Sequence, residues 1–170
     1  HPGELAPLCY LLKPSRGIVT AIGPVHVEFF DSMEAIAREK ATVLKLLPRD
    51  GLAVACRDDA WFDLLKKESA CRLIATSMRG AAEYRGWLAP QSAGRFFVEA
   101  RATEDRVELE VPLPGAHIVG NALLAVALGR ECGATWEGIR EALKHFSTLP
   151  MRWVRTKAGG FDIINDAYNA

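Results

Sequence analysis

A parallel β-sheet with crossover helices, carrying a small antiparallel β meander, is the α/β fold class that the sequence predicts. Three observations point to it. Apolar runs and amphipathic stretches alternate from residue 17 to residue 76, strand-like alternation takes over from Tyr84 to Val111, and a helical pattern resumes after Pro114-Gly115. Strands separated by helices read as parallel, because parallel neighbours need a crossover. Consecutive alternating strands divided by turn signals read as antiparallel.

Each element has its own local reason. Residues 17–23 (GIVTAIG) form a β-branched run ended by glycine and Pro24, which predicts a buried strand followed by a loop. Asp31 and Ser32 offer an N-cap, with Glu34 as a capping-box partner three residues after Asp31. The helix after them is expected to reach about Leu47, where Pro48, Asp50 and Gly51 stop it. A strand at 52–56, a helix at 59–67 and a strand at 72–76 follow. FFVEARA and RVELEVPL supply the meander. Helices are expected near 118–132 and 135–145, then two short strands around Gly159-Gly160 within 152–165. The sharpest candidate boundary falls at Leu149-Pro150.

Bulk composition narrows the function. A chain of 170 residues with 49% hydrophobic and 25% charged residues can bury a core as one domain, or one domain with a piece of another. Its 21 basic and 21 acidic residues cancel, so there is no electrostatic footprint for nucleic acid or an anionic membrane. No apolar run approaches a membrane span. Cys9, Cys56, Cys71 and Cys132 form no C-x-x-C pair, which argues against a zinc site and leaves a reducing cytosol as the simplest home. A small molecule is the expected partner. A chain beginning with His1 rather than Met is expected to be processed or cut from something longer.

Four polar residues sit at telling positions. The spacing of Met33, Ile36, Ala37, Val43, Leu44 and Leu47 puts Lys40 in the middle of the stripe that a helix would bury. Such a lysine either snorkels to the rim or is held, partly desolvated, beside a site. Asn121 shares a helical face with Ile118, Ala122, Ala125 and Leu128, as a core amide or as one that reads a ligand. His26 and Glu28 follow the first strand, and Asp166 follows the apolar run FDII. Ligands of open α/β sheets bind at strand carboxyl ends, although turn residues there are commonly structural.

Taken in order, the motifs resemble those of the Mur ligase family, best in its D-alanyl-D-alanine-adding branch. His1-Pro2-Gly3-Glu4-Leu5 matches the tail of N-H-x-G-E-[IL], and Ala21-Ile22-Gly23-Pro24-Val25-His26-Val27-Glu28 matches N-I-G-x-x-H-[LV]-E. Ala37-Arg38-Glu39-Lys40 matches A-x-x-K-x-E-[IL], with Thr42 in place of the usual glutamate. Residues 113–123 (LPGAHIVGNAL) match L-P-G-x-H-N-x-x-N-A-L, and residues 164–170 (INDAYNA) resemble I-D-D-S-Y-N-A.

The resemblance implies a P-loop-type central ATPase domain, lacking its N-terminal part, over 1–150, and the start of a C-terminal ligase domain over 151–170. It implies that His26 and Lys40, the latter carbamylated, hold a magnesium ion and are catalytic. It further implies that Asn121 reads adenine, Asp166 binds ribose and Arg152 lies near the phosphates of ATP. The implied enzyme is a cytoplasmic, monomeric, ATP-dependent ligase of peptidoglycan synthesis. It would join D-alanyl-D-alanine to UDP-N-acetylmuramoyl-tripeptide through an acyl phosphate. Ile118 replaces the first asparagine of the H-N-x-x-N pair, and Met151 replaces the glycine before Arg152. A diamino-acid-adding or folylpolyglutamate ligase of the same family is the neighbouring alternative, and a non-catalytic module that binds a partner is the alternative from another class. The 170 residues contain no G-x-x-x-x-G-K-[ST] phosphate loop. This segment assayed alone is therefore expected to give no ATP-dependent amide formation; measurable turnover would refute that.

Overall fold

The first three expected strands are β1 (Arg16–Val19), β2 (Leu52–Cys56) and β3 (Arg72–Ser77), all parallel. They belong to a computed structural model that describes residues 1–24, 27–92, 94–147, 149–150 and 152–167. The meander follows as β4 (Tyr84–Leu88), β5 (Arg95–Ala100) and β6 (Asp105–Glu110), antiparallel to one another. It is not a separate layer: all six strands form one sheet in the order β1 to β6. Strand β4 runs parallel to β3 without a crossover helix. Only Thr76↔Tyr84 and Ser77↔Arg85 pair, so β4 starts where β3 ends and residues 78–83 suffice to connect them.

Strand β2 is buried on both faces, as a central parallel strand should be. Leu52 and Val54 join the cluster under α4 (Ala116–Glu131) and α5 (Trp136–Lys144). Ala53 and Ala55 meet α2 (Met33–Lys45) and α3 (Phe62–Glu68) on the other side. Close approach depends on small residues at two points. Leu44 and Leu47 of the α2 segment pack against Gly17, and a Cβ at Gly86 would lie 2.9 Å from Leu123 of α4. Helix α2 begins at Ser32, whose hydroxyl accepts the Ala35 N–H at 3.1 Å. Glu34 does not complete the expected capping box; its carboxylate pairs with Arg38 at 2.8 Å.

The structure also corrects the sequence reading of three elements. Residues Leu5–Leu12 form a helix, α1, that was not foreseen. LAPLCYLL is apolar nearly all round and shows no 3.6-residue stripe, and Pro7 lies in the first turn, where its missing N–H is harmless. Its N-terminus is held by Glu39 of α2, which accepts the Gly3 and Leu5 N–H groups at 2.9 and 3.1 Å. Strand β1 stops at Val19 rather than Gly23, because the Ile22 N–H turns to the Asp59 carboxylate at 2.9 Å. Helix α3 starts at Phe62 rather than near Asp59, whose other oxygen accepts the Trp61 N–H at 2.8 Å.

Asp58 and Asp59 thus tie together the carboxyl ends of the parallel strands. Asp58 accepts the Ser77 hydroxyl at 2.6 Å and the Met78 N–H at 2.7 Å, while Ser77 Oγ accepts from the Arg79 and Gly80 amides. A second knot lies at the start of β6. Asp105 accepts the Trp136 indole N–H at 2.8 Å and the Thr103 hydroxyl at 2.7 Å, and the Arg130 guanidinium lies 4.5 Å from the Trp136 ring centre. Nearby, burial and the Glu131 carboxylate push the Tyr84 phenol up to about 12, so it stays a hydrogen-bond donor to Glu131 at 3.1 Å. The chain then leaves the main sheet as a hairpin, β7 (Val154–Ala158) and β8 (Phe161–Asn165). Gly159 and Gly160 both take positive φ in its two-residue turn.

Two predictions follow from these anchors. Asp59→Ala is expected to cost about 1–3 kcal/mol by leaving the Ile22 and Trp61 amides without their carboxylate. Amide exchange at Ile22 would rise with it, and an unchanged denaturation midpoint and exchange rate would refute the anchor. The Asp105 carboxyl is held below its ordinary 3.8, first by the Trp136 indole and then by the Thr103 hydroxyl. A depressed folded pKa contributes stability above 3.8 that is lost as pH falls through the lowered value. In Asp105→Asn, the decline in stability below pH 3.8 is therefore expected to be shallower than in the parent chain. Equal slopes in parallel acid titrations of the folded fraction would contradict it.

Candidate functional site

Gly115 caps helix α4 and takes φ +127°, a backbone that side chains rarely adopt; an added Cβ would also lie 2.9 Å from the His117 ring, which would have to shift. The first turn and a half of α4 then presents His117, Ile118 and Asn121 on one side, at helical spacing. These three line a hollow of about 380 Å³ together with Leu113, Phe146 and Ser147. Its remaining wall is the entry and exit of the β7–β8 hairpin, namely Leu149, Arg152, Trp153 and Asp166. Asn121, Arg152 and Asp166, singled out separately in the sequence, therefore share one hollow.

The environment of Asn121 differs from the sequence expectation. The core side of α4 is formed by Val119, Ala122, Leu123, Val126 and Ala127, and Asn121 on the flank is exposed. Its amide faces the hollow and carries no burial penalty. Asp166 lies just past β8, and its Oδ1 accepts the Trp153 N–H at 3.2 Å. Trp153 takes φ +50°, a left-handed conformation that costs a bulky residue about 1–2 kcal/mol. Neither Trp153 nor the aromatic Phe146 was foreseen as part of the site. The available signal was a tryptophan directly after Arg152 and ahead of a hairpin.

Lys40 occupies a different region. It is half-buried rather than central in the α2 stripe, because the buried positions are Ile36, Ala37, Ala41 and Leu44. That phase puts Lys40 on the edge beside α1. It borders two hollows, one of about 220 Å³ with Glu4, Leu8 and Glu39, the other of about 190 Å³ with Ile18, Thr20 and Ala21. Glu39 is already engaged by the amides of α1. His26 lies outside the described residues, and Glu28 is exposed in the 3-10 turn Val27–Phe29.

The two regions differ in what they fit. An amide, a guanidinium and a carboxylate around apolar and aromatic walls suit a nucleotide, whose base, sugar and phosphates need those three chemistries. Among the described residues no group of three or more His, Cys, Asp or Glu could hold a metal ion. A lysine ammonium has no lone pair to offer and magnesium takes oxygen ligands, so Lys40 would suit that ion only after modification to a group with oxygen donors.

Known proteins share this arrangement of chain. The sequence pattern described as Mur ligase middle domain matches residues 1–129. The UDP-N-acetylmuramoyl-tripeptide–D-alanyl-D-alanine ligase of Mycobacterium tuberculosis (strain ATCC 25618 / H37Rv) is 33% identical, over 100% of this chain and 34% of its own length. The UDP-N-acetylmuramate–L-alanine ligase of Desulforamulus reducens is 31% identical, over 92% of this chain and 34% of its own. In structure, MurF from Acinetobacter baumannii superimposes with a TM-score of 0.88 at 22% identity, over 100% of this chain and 37% of that one, which shows a common fold. The chain spans about a third of the length of the curated relatives it matches. With the family pattern covering three-quarters of its residues and the six-stranded sheet bearing it, the chain belongs to the Mur ligase family.

Proposed function

We propose that this chain is the nucleotide-binding portion of an ATP-dependent carbon–nitrogen ligase of peptidoglycan synthesis. The reaction is the joining of D-alanyl-D-alanine to UDP-N-acetylmuramoyl-tripeptide. The observation that carries the reading is the hollow shared by Asn121, Arg152 and Asp166. The names of the curated relatives support the substrates. Residues 1–150 are read as part of the central ATPase domain and 151–170 as the start of the C-terminal ligase domain. The setting is a monomer in the cytoplasm.

Each residue has a task its chemistry allows. The Asn121 amide offers a donor and an acceptor to the adenine edge, the pairing that asparagine makes with adenine elsewhere. Asp166 engages one oxygen with the Trp153 N–H, and its second can accept a ribose hydroxyl. Arg152 presents a planar fork of donors suited to phosphate oxygens. The γ-phosphoryl group passes to the peptide carboxylate and ADP departs. The amine of the dipeptide attacks the resulting acyl phosphate, and the tetrahedral intermediate expels phosphate as the amide forms. Charge on the phosphoryl oxygens needs electrostatic stabilisation, which a magnesium ion would supply when bound. His26 and Lys40 would hold it, once the neutral Lys40 amine has added to carbon dioxide and released a proton to become a carbamate. The phosphate loop would come from chain beyond these 170 residues.

A sister ligase is the second reading, favoured by the 31% identity to an L-alanine-adding enzyme over 92% of the chain. The complete protein carrying this segment separates the two. It would be supplied with ATP and each UDP-sugar acceptor paired with its own amine, and phosphate release would be followed. Turnover with UDP-N-acetylmuramoyl-tripeptide and D-alanyl-D-alanine alone is the expected result. Turnover only with UDP-N-acetylmuramate and L-alanine would establish the sister reading, and none with any pair would refute both.

A further inference from the structure

We propose that Trp153 is the base platform of the hollow, the planar surface on which the purine ring of a bound nucleotide stacks. The inference rests on the nucleotide reading above and adds a residue to it. Asn121 can read the edge of a base and Asp166 a sugar hydroxyl, but neither offers a surface to the faces of the ring. A flat aromatic ligand needs one, and stacking on an aromatic side chain serves any purine.

Two ring systems of the hollow come from outside α4, Phe146 and Trp153. Phe146 follows α5, 47% exposed, and its N–H donates to the nearby Leu143 carbonyl. Trp153 is half-buried and its backbone is fastened by the carboxylate that would read the ribose: the Trp153 N–H donates to Asp166 Oδ1 at 3.2 Å. Base and ribose are joined by a single bond in any nucleoside. A ring fastened to the ribose-reading acid is thereby set beside the base.

The backbone supports the same assignment. Trp153 takes φ +50°, where glycine is the unstrained choice. The segment does use glycine at Gly159 and Gly160, where φ is +57° and +83° and only a turn is required. Residue 153 thus carries the largest side chain, at the wall of the hollow, on a backbone that glycine would take without strain. By contrast, Trp87 and Phe97 on the open face of the meander are stacked on each other at 5.6 Å, with Arg106 over both rings, and present no vacant platform.

The test uses the complete protein and two ligands, ATP and inorganic tripolyphosphate, which has the phosphates without the base. Trp153→Gly removes the ring while suiting the left-handed backbone, so misfolding does not confound it. Trp153→Phe keeps a smaller ring. By calorimetry, Trp153→Gly is expected to weaken ATP about tenfold or more. Trp153→Phe should retain most of the affinity while abolishing the nucleotide-induced change in tryptophan fluorescence, and tripolyphosphate should bind alike in all three proteins. Unaltered ATP affinity in Trp153→Gly would overturn the proposal, as would an equal loss for ATP and tripolyphosphate. Failure of the parent protein to bind ATP would instead bring down the nucleotide reading itself, and this inference with it.

Discussion

Burial of β2 on both faces is the constraint from which the other elements take their places. Leu52 and Val54 point to one layer of helices and Ala53 and Ala55 to the other, so neither face can be left to solvent. Helices on both sides require the chain to cross from one strand end to the other, which gathers the loops after β1, β2 and β3 at one edge. Backbone amides released at that edge must still find acceptors. Asp58 and Asp59 provide them, joining the loop after β1, the start of α3 and the turn after β3. The carboxylates that occupy the classical ligand edge of the sheet are in this way engaged in holding backbone.

The hollow that suits a nucleotide lies elsewhere, at the seam between the first turns of α4 and the β7–β8 hairpin. A two-stranded hairpin alone is marginally stable, and this one leaves Phe161, Ile163 and Ile164 exposed. The Arg155–Asp162 pair across the strands adds little, because both side chains face water. At the entry to the hairpin, the Asp166 carboxylate accepts the Trp153 amide and the Leu149 carbonyl accepts that of Arg152. A ligand that engages Asn121 on one side and Asp166 on the other would bridge α4 and the hairpin.

Lys40 belongs to a separate region beside α1, where the hollows it lines are other than the one that Asn121, Arg152 and Asp166 line. Glu39 explains why that region is ordered as it is. By accepting two amides at the head of α1, it lays an apolar helix along the side of α2 where Lys40 emerges. Exposed Leu8, Tyr10, Leu11 and Leu12 follow from the same placement, because only the inner side of α1 meets α2.

How much of this was written locally can be judged residue by residue. Strands β2 and β3, the meander, α4, α5 and the glycine turn of the hairpin were all legible, because periodicity and turn chemistry act over a few residues. The motifs carrying Asn121, Arg152 and Asp166 were legible as well; that the three share one hollow followed from no spacing or periodicity and was implied only by the family resemblance. Helix α1 was invisible because its apolar residues have no phase. Lys40 was put too deep because the phase of α2 against the sheet is set by Gly17 and Ala53, which belong to other elements. Asn121 was likewise put too deep, because the phase of α4 is set by what it packs on, and the only sequence signal for Trp153 was its place after Arg152 until its φ angle and its bond to Asp166 were in view. The sequence by itself determined the element types, their order and the chemistry available, since these depend on neighbours along the chain. Tertiary structure alone decided which face each helix buries and which distant side chains meet, since these depend on packing between residues far apart in sequence.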